Sequence, residues 1–337
     1  MRIMGRRLHV VIGGGSGFIG SALSLALRSR GDHVRLISRT PGPGRMTWSD
    51  LARRGLPACD AIVNLAGQHI LDLRRRWTAA YRNEVVNSRV ETTKQIVKAL
   101  NESASPPEVF ISTAGKCFYG TRALGAMEAY PELDEDSDPM GVDFPAELVQ
   151  LWEAAAAAVD DTRLRHVKLR IGIVLAGLER PSGLARLWPL GRSRGILPLI
   201  VVPFRLGLGA VIGSGRQPLP WIHIDDMVGI LLHLIDHPET RGRYNAVAPG
   251  IVTNREFVEA LASCLRRPLL WSAPDWLVRL VVGGERASIL LQGQLVRPRR
   301  TLEAGYVFRY PCLEPALADL VSVRTWTGGR QSCCARK

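Results

Sequence analysis

LHVVIGGGSGFIGSALSLALRSRGDHVRLISR, residues 8–39, contains a strand, a turn, a helix and a second strand in that order. Residues 8–12 form a short apolar run rich in β-branched side chains, which predicts a buried strand. From Phe18 onward the apolar residues recur at helical spacing until Gly31, a typical stop for a helix. A second strand is predicted over 33–38. This stretch therefore predicts the opening βαβ unit of a parallel sheet.

Glycines recur at every third position between the first strand and the helix, as Gly14, Gly17 and Gly20. Glycines in such a turn let backbone N–H groups approach a pyrophosphate, and the positive end of the helix dipole faces the same anion. A glycine-rich turn can also be an ordinary tight turn, but here the flanking strand, helix and second strand are all present. We therefore expect a dinucleotide site that includes Gly14, Gly17, Phe18, Ile19 and Gly20.

The second predicted strand ends at Ser38 and Arg39. An NAD site carries an acidic residue near this place to hold the ribose 2′-hydroxyl, whereas an arginine favours the 2′-phosphate of NADP(H). A solvated arginine is also common at a strand end, but Ser38 beside it adds a second donor. The predicted cofactor is therefore NADP.

Further strands and helices alternate along the first half of the chain. This alternation predicts an α/β fold, a Rossmann-type doubly wound parallel sheet with a smaller C-terminal substrate lobe. The predicted strands are 60–66, 167–175 and one beginning at 109–112, and the predicted helices are 77–100 and 145–160.

The alternation fails after residue 176, and this change divides the chain. Residues 1–176 with a return element at 221–240 are predicted to form the NADP-binding domain. The substrate lobe would comprise 177–220 and 241–321, including a small strand at 244–247. Residues 322–337 lack periodicity and are predicted to be a disordered tail.

Candidate site residues follow two of these strands. Leu65 and Ala66 lie just beyond the apolar run 60–66, where backbone contact with the cofactor and a plain turn after a core strand are equally compatible with the spacing. The hydroxyls of Ser112, Thr113 and Tyr119 follow the strand whose end would face the nicotinamide. Tyr119 is the first candidate for proton transfer, with a packing role as the alternative.

One histidine–aspartate pattern and one acidic stretch could suggest a metal site, but each has a simpler structural explanation. His223 precedes Asp225 and Asp226, and we expect one of these aspartates to cap a helix starting near Met227; Asn254 is expected to cap a later helix. The acidic residues of 123–143 match no known ligand loop and indicate a solvated connection. No metal site is predicted.

Composition narrows the functional classes. The net charge of +13 is spread along the chain and lacks interleaved aromatic motifs, so no nucleic-acid partner is expected. No apolar run approaches the roughly 20 residues needed to span a bilayer, and the first residues pass directly into a strand without a signal peptide. We expect a soluble protein with a small-molecule substrate and no membrane association, located in the cytoplasm with the mitochondrion as the alternative.

Taken together, several motifs resemble the extended short-chain dehydrogenase/reductase superfamily, in particular its epimerase-like family 39U, from about residue 10 to 320. They are GGGSGFIG, SRTPGPGRMTW, VNLAG, WTAAYRNEVVNSRVETT, PFRLGLG, IGSG and PWIHIDDM. The resemblance implies an NADP(H) site with Ser38 and Arg39 at the 2′-phosphate. It also implies that Glu84, Arg89 and Val174 line the cofactor.

The chain departs from the superfamily at the catalytic pair. Active extended members carry a tyrosine and a lysine four residues apart, and no Tyr-x-x-x-Lys occurs here; the expected place reads DFPAEL, residues 143–148. The run between 175 and 203 is also longer than in the family. Two functions remain open: an NADP(H)-dependent oxidoreductase or epimerase acting on a hydroxyl- or carbonyl-bearing small molecule, and a non-catalytic NADP(H)-binding sensor or scaffold.

Overall fold

The computed structural model describes residues 6–68, 70, 75–120, 129–141, 143–177, 195–269 and 271–321. The predicted tail, 322–337, lies outside the described residues. So does 178–194, which is most of the lengthened segment, and so do 123–128 of the acidic connection. Among the described helices, none has both the length and the hydropathy required to cross a bilayer.

A seven-stranded parallel sheet forms the centre of the molecule. Its strands are β1 (His9–Gly13), β2 (His33–Ser38), β3 (Arg45–Thr47), β4 (Ala61–Asn64), β5 (Val109–Gly115), β7 (Arg165–Ile171) and β11 (Gly242–Ala246). Across the sheet they lie in the order β11-β7-β5-β4-β1-β2-β3. The predicted doubly wound α/β fold is confirmed.

Helices cover both faces of this sheet. On one face α1 packs against α6, and on the other α3 packs against α4. The helices are α1 (Phe18–Ser29), α2 (Trp48–Arg54), α3 (Ala79–Asn101), α4 (Phe144–Ala157), α5 (Leu197–Arg205), α6 (Ile224–Asp236), α7 (Asn254–Leu265), α8 (Asp275–Val282), α9 (Gly284–Leu291), α10 (Arg299–Glu303) and α11 (Leu313–Val321).

The strand order reverses between β1 and β4. From β1 the chain runs outward through β2 to β3, and it then returns to β4 on the other side of β1. In doubly wound sheets, ligands bind beyond the carboxyl ends of the strands at this reversal. The fold therefore places the candidate site where β1, β2, β4 and β5 end.

The predicted strand 167–175 is interrupted at Gly172. β7 ends at Ile171, and β8 (Ile173–Leu175) leaves the sheet to pair with β10 (Trp221–His223). A Cβ at position 172 would lie 2.8 Å from the Pro220 carbonyl oxygen, so only glycine permits this close approach. At this bend the chain leaves the main sheet and enters the lobe.

The predicted lobe boundary at 241 needs correction. The small strand predicted at 244–247 is β11, and it pairs in parallel with β7 as the last strand of the main sheet. Residues 242–246 therefore belong with the sheet. The spacing of residues could not show this pairing, because β7 and β11 are far apart in the sequence and meet only in the folded chain.

The lobe has its own core, in which α5, α7 and α11 contribute apolar side chains around Trp221. Short strand pairs tie it together: β9 (Ala210–Ile212) pairs with β12 (Trp271–Ala273), and β13 (Leu295–Val296) pairs with β6 (Glu132–Leu133). The second pair joins the lobe to the connection after β5. The lobe therefore reaches back to the carboxyl edge of the sheet.

Two predicted helix caps are wrong by one or more residues. α6 begins at Ile224, and its cap is His223, whose Nδ1 accepts a hydrogen bond from the Asp225 N–H at 3.0 Å. Asp226 instead accepts backbone N–H bonds from Arg309 and Tyr310. At α7 the cap is Thr253, not Asn254, because its hydroxyl forms a reciprocal capping box with Glu256.

Candidate functional site

The glycine turn packs directly against the end of β4. Gly14 has φ of +71°, and a Cβ there would lie 2.7 Å from the Leu65 carbonyl oxygen and 2.8 Å from the Ala66 nitrogen. A Cβ on Gly20 would lie 2.6 Å from the Gly14 carbonyl oxygen, so the helix also contacts the turn closely. The structure thus brings together the predicted residues of the turn and of the β4 end.

The N-terminus of α1 lacks a side-chain cap. Its cap residue is Gly17, and its first turn holds no acidic residue. Side chains cap α2, α3, α4, α6 and α7, whereas α5, α8, α9 and α10 share the lack of a side-chain cap with α1. The first N–H groups of a helix have no partner within the helix. Those of Phe18, Ile19 and Gly20 are therefore suited to an anion such as a pyrophosphate.

The end of β2 presents only one of its two predicted donors to solvent. Ser38 is buried, and its hydroxyl donates to the Thr40 carbonyl oxygen. Arg39 is exposed, and in the described part of the chain it forms no ion pair. Ser38 therefore shapes the turn after β2, while the Arg39 guanidinium is the group that can contact a 2′-phosphate.

Asn64, which sequence reasoning missed, holds the predicted residues after β4 in place. Its Oδ1 accepts a hydrogen bond from the Ala66 N–H at 3.2 Å, and its Nδ2 donates to the Thr93 hydroxyl at 2.8 Å. The Trp152 indole N–H donates to the same hydroxyl. An asparagine ending an otherwise apolar strand, as in DAIVNLAG, was the available signal.

Glu84 and Arg89 were both expected at the cofactor, and the structure gives them separate roles. Arg89 is half-buried, donates to the Gln68 carbonyl oxygen at 2.8 Å and packs on Gly67, so it supports the loop after β4. Burial lowers the pKa of Arg89 to about 10. Glu84 instead forms a two-bond ion pair with Arg75. Because Glu84 and Arg89 are five residues apart in the helix, their side chains lie on different faces.

Val174 lies in β8, buried and paired with Ile222 of β10. It belongs to the same apolar core as the sheet and α1. It can therefore contribute an apolar wall beside the carboxyl edge, and it has no polar group with which to fix a ligand.

The three hydroxyls predicted for catalysis are all buried and hydrogen-bonded to the protein. The Ser112 hydroxyl lies 2.8 Å from His166 Nε2, and the Thr113 hydroxyl donates to the Asn64 carbonyl oxygen at 2.6 Å. The Tyr119 side chain is completely buried. A central strand covered on both faces buries the side chains of both its odd and even positions, and this is why the hydroxyls of Ser112 and Thr113 in β5 point into the core.

Tyr119 in particular has the surroundings of a packing residue. Its hydroxyl donates to Asn245 Oδ1 at 2.9 Å, and its ring joins an apolar cluster with Leu133 and Val296. Burial raises the pKa of Tyr119 above its ordinary value, although the nearby Arg170 guanidinium opposes the shift. A raised pKa is the reverse of what a proton-transferring tyrosine requires.

His166, the partner of Ser112, gives a pH-dependent prediction. Burial, aided by Lys168, lowers the pKa of His166 from 6.5 to about 3. Between these pH values the unfolded chain binds more protons than the folded chain. The free energy of unfolding should therefore fall as the pH drops from 6.5 toward 3, by up to roughly 1 kcal/mol per pH unit.

Urea denaturation across this range should show a shallower dependence of the unfolding free energy on pH for His166→Phe. The exposed His33→Phe should keep the wild-type slope, and equal slopes in all three proteins would refute the assignment.

Lys116 is the second residue that sequence reasoning missed. It follows β5 directly, is 8% exposed, and donates from Nζ to Gln294 Oε1 at 2.5 Å. Together with Asp143 and Ser288 it lines a cavity of about 10 Å³ between the sheet edge and α9, which is room for a single oxygen-sized group. A lysine directly after a buried strand, in a chain with only five lysines, was the available signal.

The close packing of Gly14 predicts a loss of cofactor binding in Gly14→Ala. The added methyl would force the turn away from Leu65 and Ala66, and we expect the NADPH dissociation constant to rise about tenfold. Gly31→Ala is the matched control, since Gly31 also has positive φ but has no neighbour within 4 Å. Fluorescence titration should show normal NADPH binding for Gly31→Ala. Equal losses in both variants would mean that backbone strain alone is responsible.

Comparison with known proteins gives matches over nearly the whole chain. The model of the NAD dependent epimerase/dehydratase family matches residues 10–141, and a domain of unknown function, DUF1731, matches 273–320. The human epimerase family protein SDR39U1 is 43% identical over 315 residues, which cover 94% of this chain and 100% of that protein.

Solved structures extend the comparison to three dimensions. The crystal structure of human SDR39U1 (isoform 2) with NADPH has a TM-score of 0.83 and 42% identity, covering 93% of this chain and 98% of that chain. The nucleoside-diphosphate sugar epimerase from Corynebacterium glutamicum has a TM-score of 0.71 and 28% identity, covering 95% of this chain and 59% of that chain.

Proposed function

Because this chain belongs to the epimerase family that includes SDR39U1, we propose that it binds NADP(H) and acts as an oxidoreductase or epimerase on a small molecule bearing a hydroxyl or carbonyl group. The observation that carries the proposal is the contact of the Gly14 turn with Leu65 and Ala66, below an α1 N-terminus without a side-chain cap. The NADPH bound to the human relative supports the choice of cofactor.

Different residues at the carboxyl edge of the sheet would bind different parts of the cofactor. The tight turn at Gly14 and Gly17 would let the pyrophosphate approach, and the first N–H groups of α1 would hold it. Arg39 would hold the 2′-phosphate, and Leu65 and Ala66 would lie along the adenosine side, fixed by Asn64. When bound, the nicotinamide supplies the hydride.

A second candidate is a non-catalytic NADP(H)-binding protein. The absence of Tyr-x-x-x-Lys and the burial of Ser112, Thr113 and Tyr119 favour it. Under this function the protein would report the redox state of the cofactor or support a partner, and the buried hydroxyls would serve packing alone.

Titration of the purified protein with NADPH and NADH, followed by a screen of small carbonyl compounds, tests both functions. The loss of reduced-nicotinamide absorbance measures turnover. Tight NADPH binding with turnover supports the enzyme, and tight binding without turnover across the panel favours the sensor. No binding of either nucleotide would refute both.

A further inference from the structure

The cavity beside Lys116 lies on the part of the sheet edge where the nicotinamide half of a dinucleotide would lie. β1 and β2 carry the glycine turn and Arg39, which places the adenosine half on their side of the strand reversal. β4 and β5 continue on the other side, and Lys116 follows the last residue of β5. A ligand crossing the reversal therefore extends toward Lys116.

Lys116 is held in this position by the lobe. Its Nζ donates to Gln294 Oε1, and Gln294 Nε2 donates to the Gly120 carbonyl oxygen at 2.9 Å. Gln294 is itself buried, so both ends of its amide are committed to the short helical turn after β5. The matched segment 273–320 thus supplies the side chain that orients Lys116.

The ammonium retains donor capacity after this contact. A lysine ammonium has three N–H donors, and within the described part of the chain Gln294 is its one hydrogen-bond acceptor. Asp143, which also lines the cavity, accepts the Ala146 N–H as the cap of α4. A buried cation with remaining donors suits a substrate oxygen that carries or develops negative charge.

We infer that Lys116 is a catalytic residue that binds the substrate oxygen at the reacting carbon and exchanges a proton with it, with Gln294 as its positioning residue. This inference rests on the proposed function. Lys116 would thus take over the proton exchange that the tyrosine of a Tyr-x-x-x-Lys pair performs, since this chain has no such pair. The substrate class is a small carbonyl compound, or the corresponding alcohol.

The reaction balances with this assignment. In reduction, hydride from the reduced nicotinamide forms the new C–H bond, and the C=O π electrons move to the oxygen. The oxygen takes a proton from the Lys116 ammonium, and the resulting amine recovers a proton from water. In oxidation the neutral amine would accept the hydroxyl proton while the hydride passes from the carbon to the oxidised nicotinamide.

Sulfite with NADP⁺ tests the position of Lys116 without knowledge of the substrate. The sulfur lone pair of sulfite bonds to nicotinamide C4, so that an anionic adduct forms where a substrate would react. We expect the wild-type protein to stabilise this adduct. Lys116→Met should raise the adduct dissociation constant at least tenfold while NADP⁺ affinity stays within twofold. Lys116→Arg should retain most of the adduct stability, and Gln294→Leu should lose part of it.

Lys168→Met is the matched control, because Lys168 lies within the neighbouring β7 and has no contact with the cavity. It should behave as the wild type. An adduct of equal stability in Lys116→Met, or no adduct in a wild-type protein that binds NADP⁺, would overturn the role of Lys116 alone. Failure of the wild type to bind NADP⁺ would overturn the proposed function and this inference together.

Discussion

Replacing Arg39 by aspartate is expected to weaken NADPH binding about 100-fold and to make NADH the preferred cofactor. Charge-assisted hydrogen bonds between a guanidinium and a phosphate contribute about 1.5–3 kcal/mol, and an aspartate adds repulsion of the 2′-phosphate. A 100-fold change corresponds to about 3 kcal/mol. An aspartate at this place can also accept a hydrogen bond from the free 2′-hydroxyl of NADH.

Arg243→Asp controls for the change in net charge. Arg243 is exposed and lies in β11, at the opposite edge of the sheet from β3. Titrations at two ionic strengths should show a small effect for Arg243→Asp, and that effect should disappear with added salt. The Arg39→Asp effect should persist because it depends on direct contact. If the two variants lost affinity equally, recognition of the 2′-phosphate by Arg39 would be excluded.

Glu153→Gln is expected to lower the free energy of unfolding by about 3–5 kcal/mol. Glu153 accepts two hydrogen bonds from Arg170, at 2.8 Å and 3.1 Å, and the Arg170 side chain is completely buried. Removing the carboxylate leaves a buried guanidinium without its counter-charge, and this is the costly way to break such a pair. The Phe118 ring, whose centroid lies 3.3 Å from Arg170 Cζ, cannot replace the lost charge.

The pair between Arg297 and Glu132 is the matched control for this experiment. It also has two bonds, but both partners are about half exposed. Glu132→Gln should cost less than about 1 kcal/mol in urea denaturation. Replacing Glu153 and Arg170 together with apolar residues should recover much of the loss, since no unpaired charge remains. A Glu153→Gln variant as stable as Glu132→Gln would contradict the importance of burial.

The sequence was most informative where the structure is local. The first strand, the glycine turn, α1 and β2 follow from neighbouring residues, and their predicted bounds differ by at most one residue from those observed. These elements also define the predicted cofactor residues, because a glycine turn acts through its own backbone.

The sequence was less informative where distant segments meet. That Ser112 faces His166, or that β11 joins β7, depends on packing across more than 50 residues of chain. The hydroxyls of β5 were expected at the site because they end a strand, yet the covering helices bury them. The orientation of Lys116 depends on Gln294, 178 residues later in the chain, and no local pattern predicts this contact.

That same contact has a consequence for how the protein is made. The parallel sheet is complete at Ala246, whereas Gln294 is synthesised 48 residues later. At about 5–20 residues per second, this interval is several seconds of translation. A nascent chain therefore acquires the strands that surround the glycine turn before it acquires the partner of Lys116. In the order of synthesis, the residues proposed to hold the cofactor therefore precede the side chain that orients Lys116.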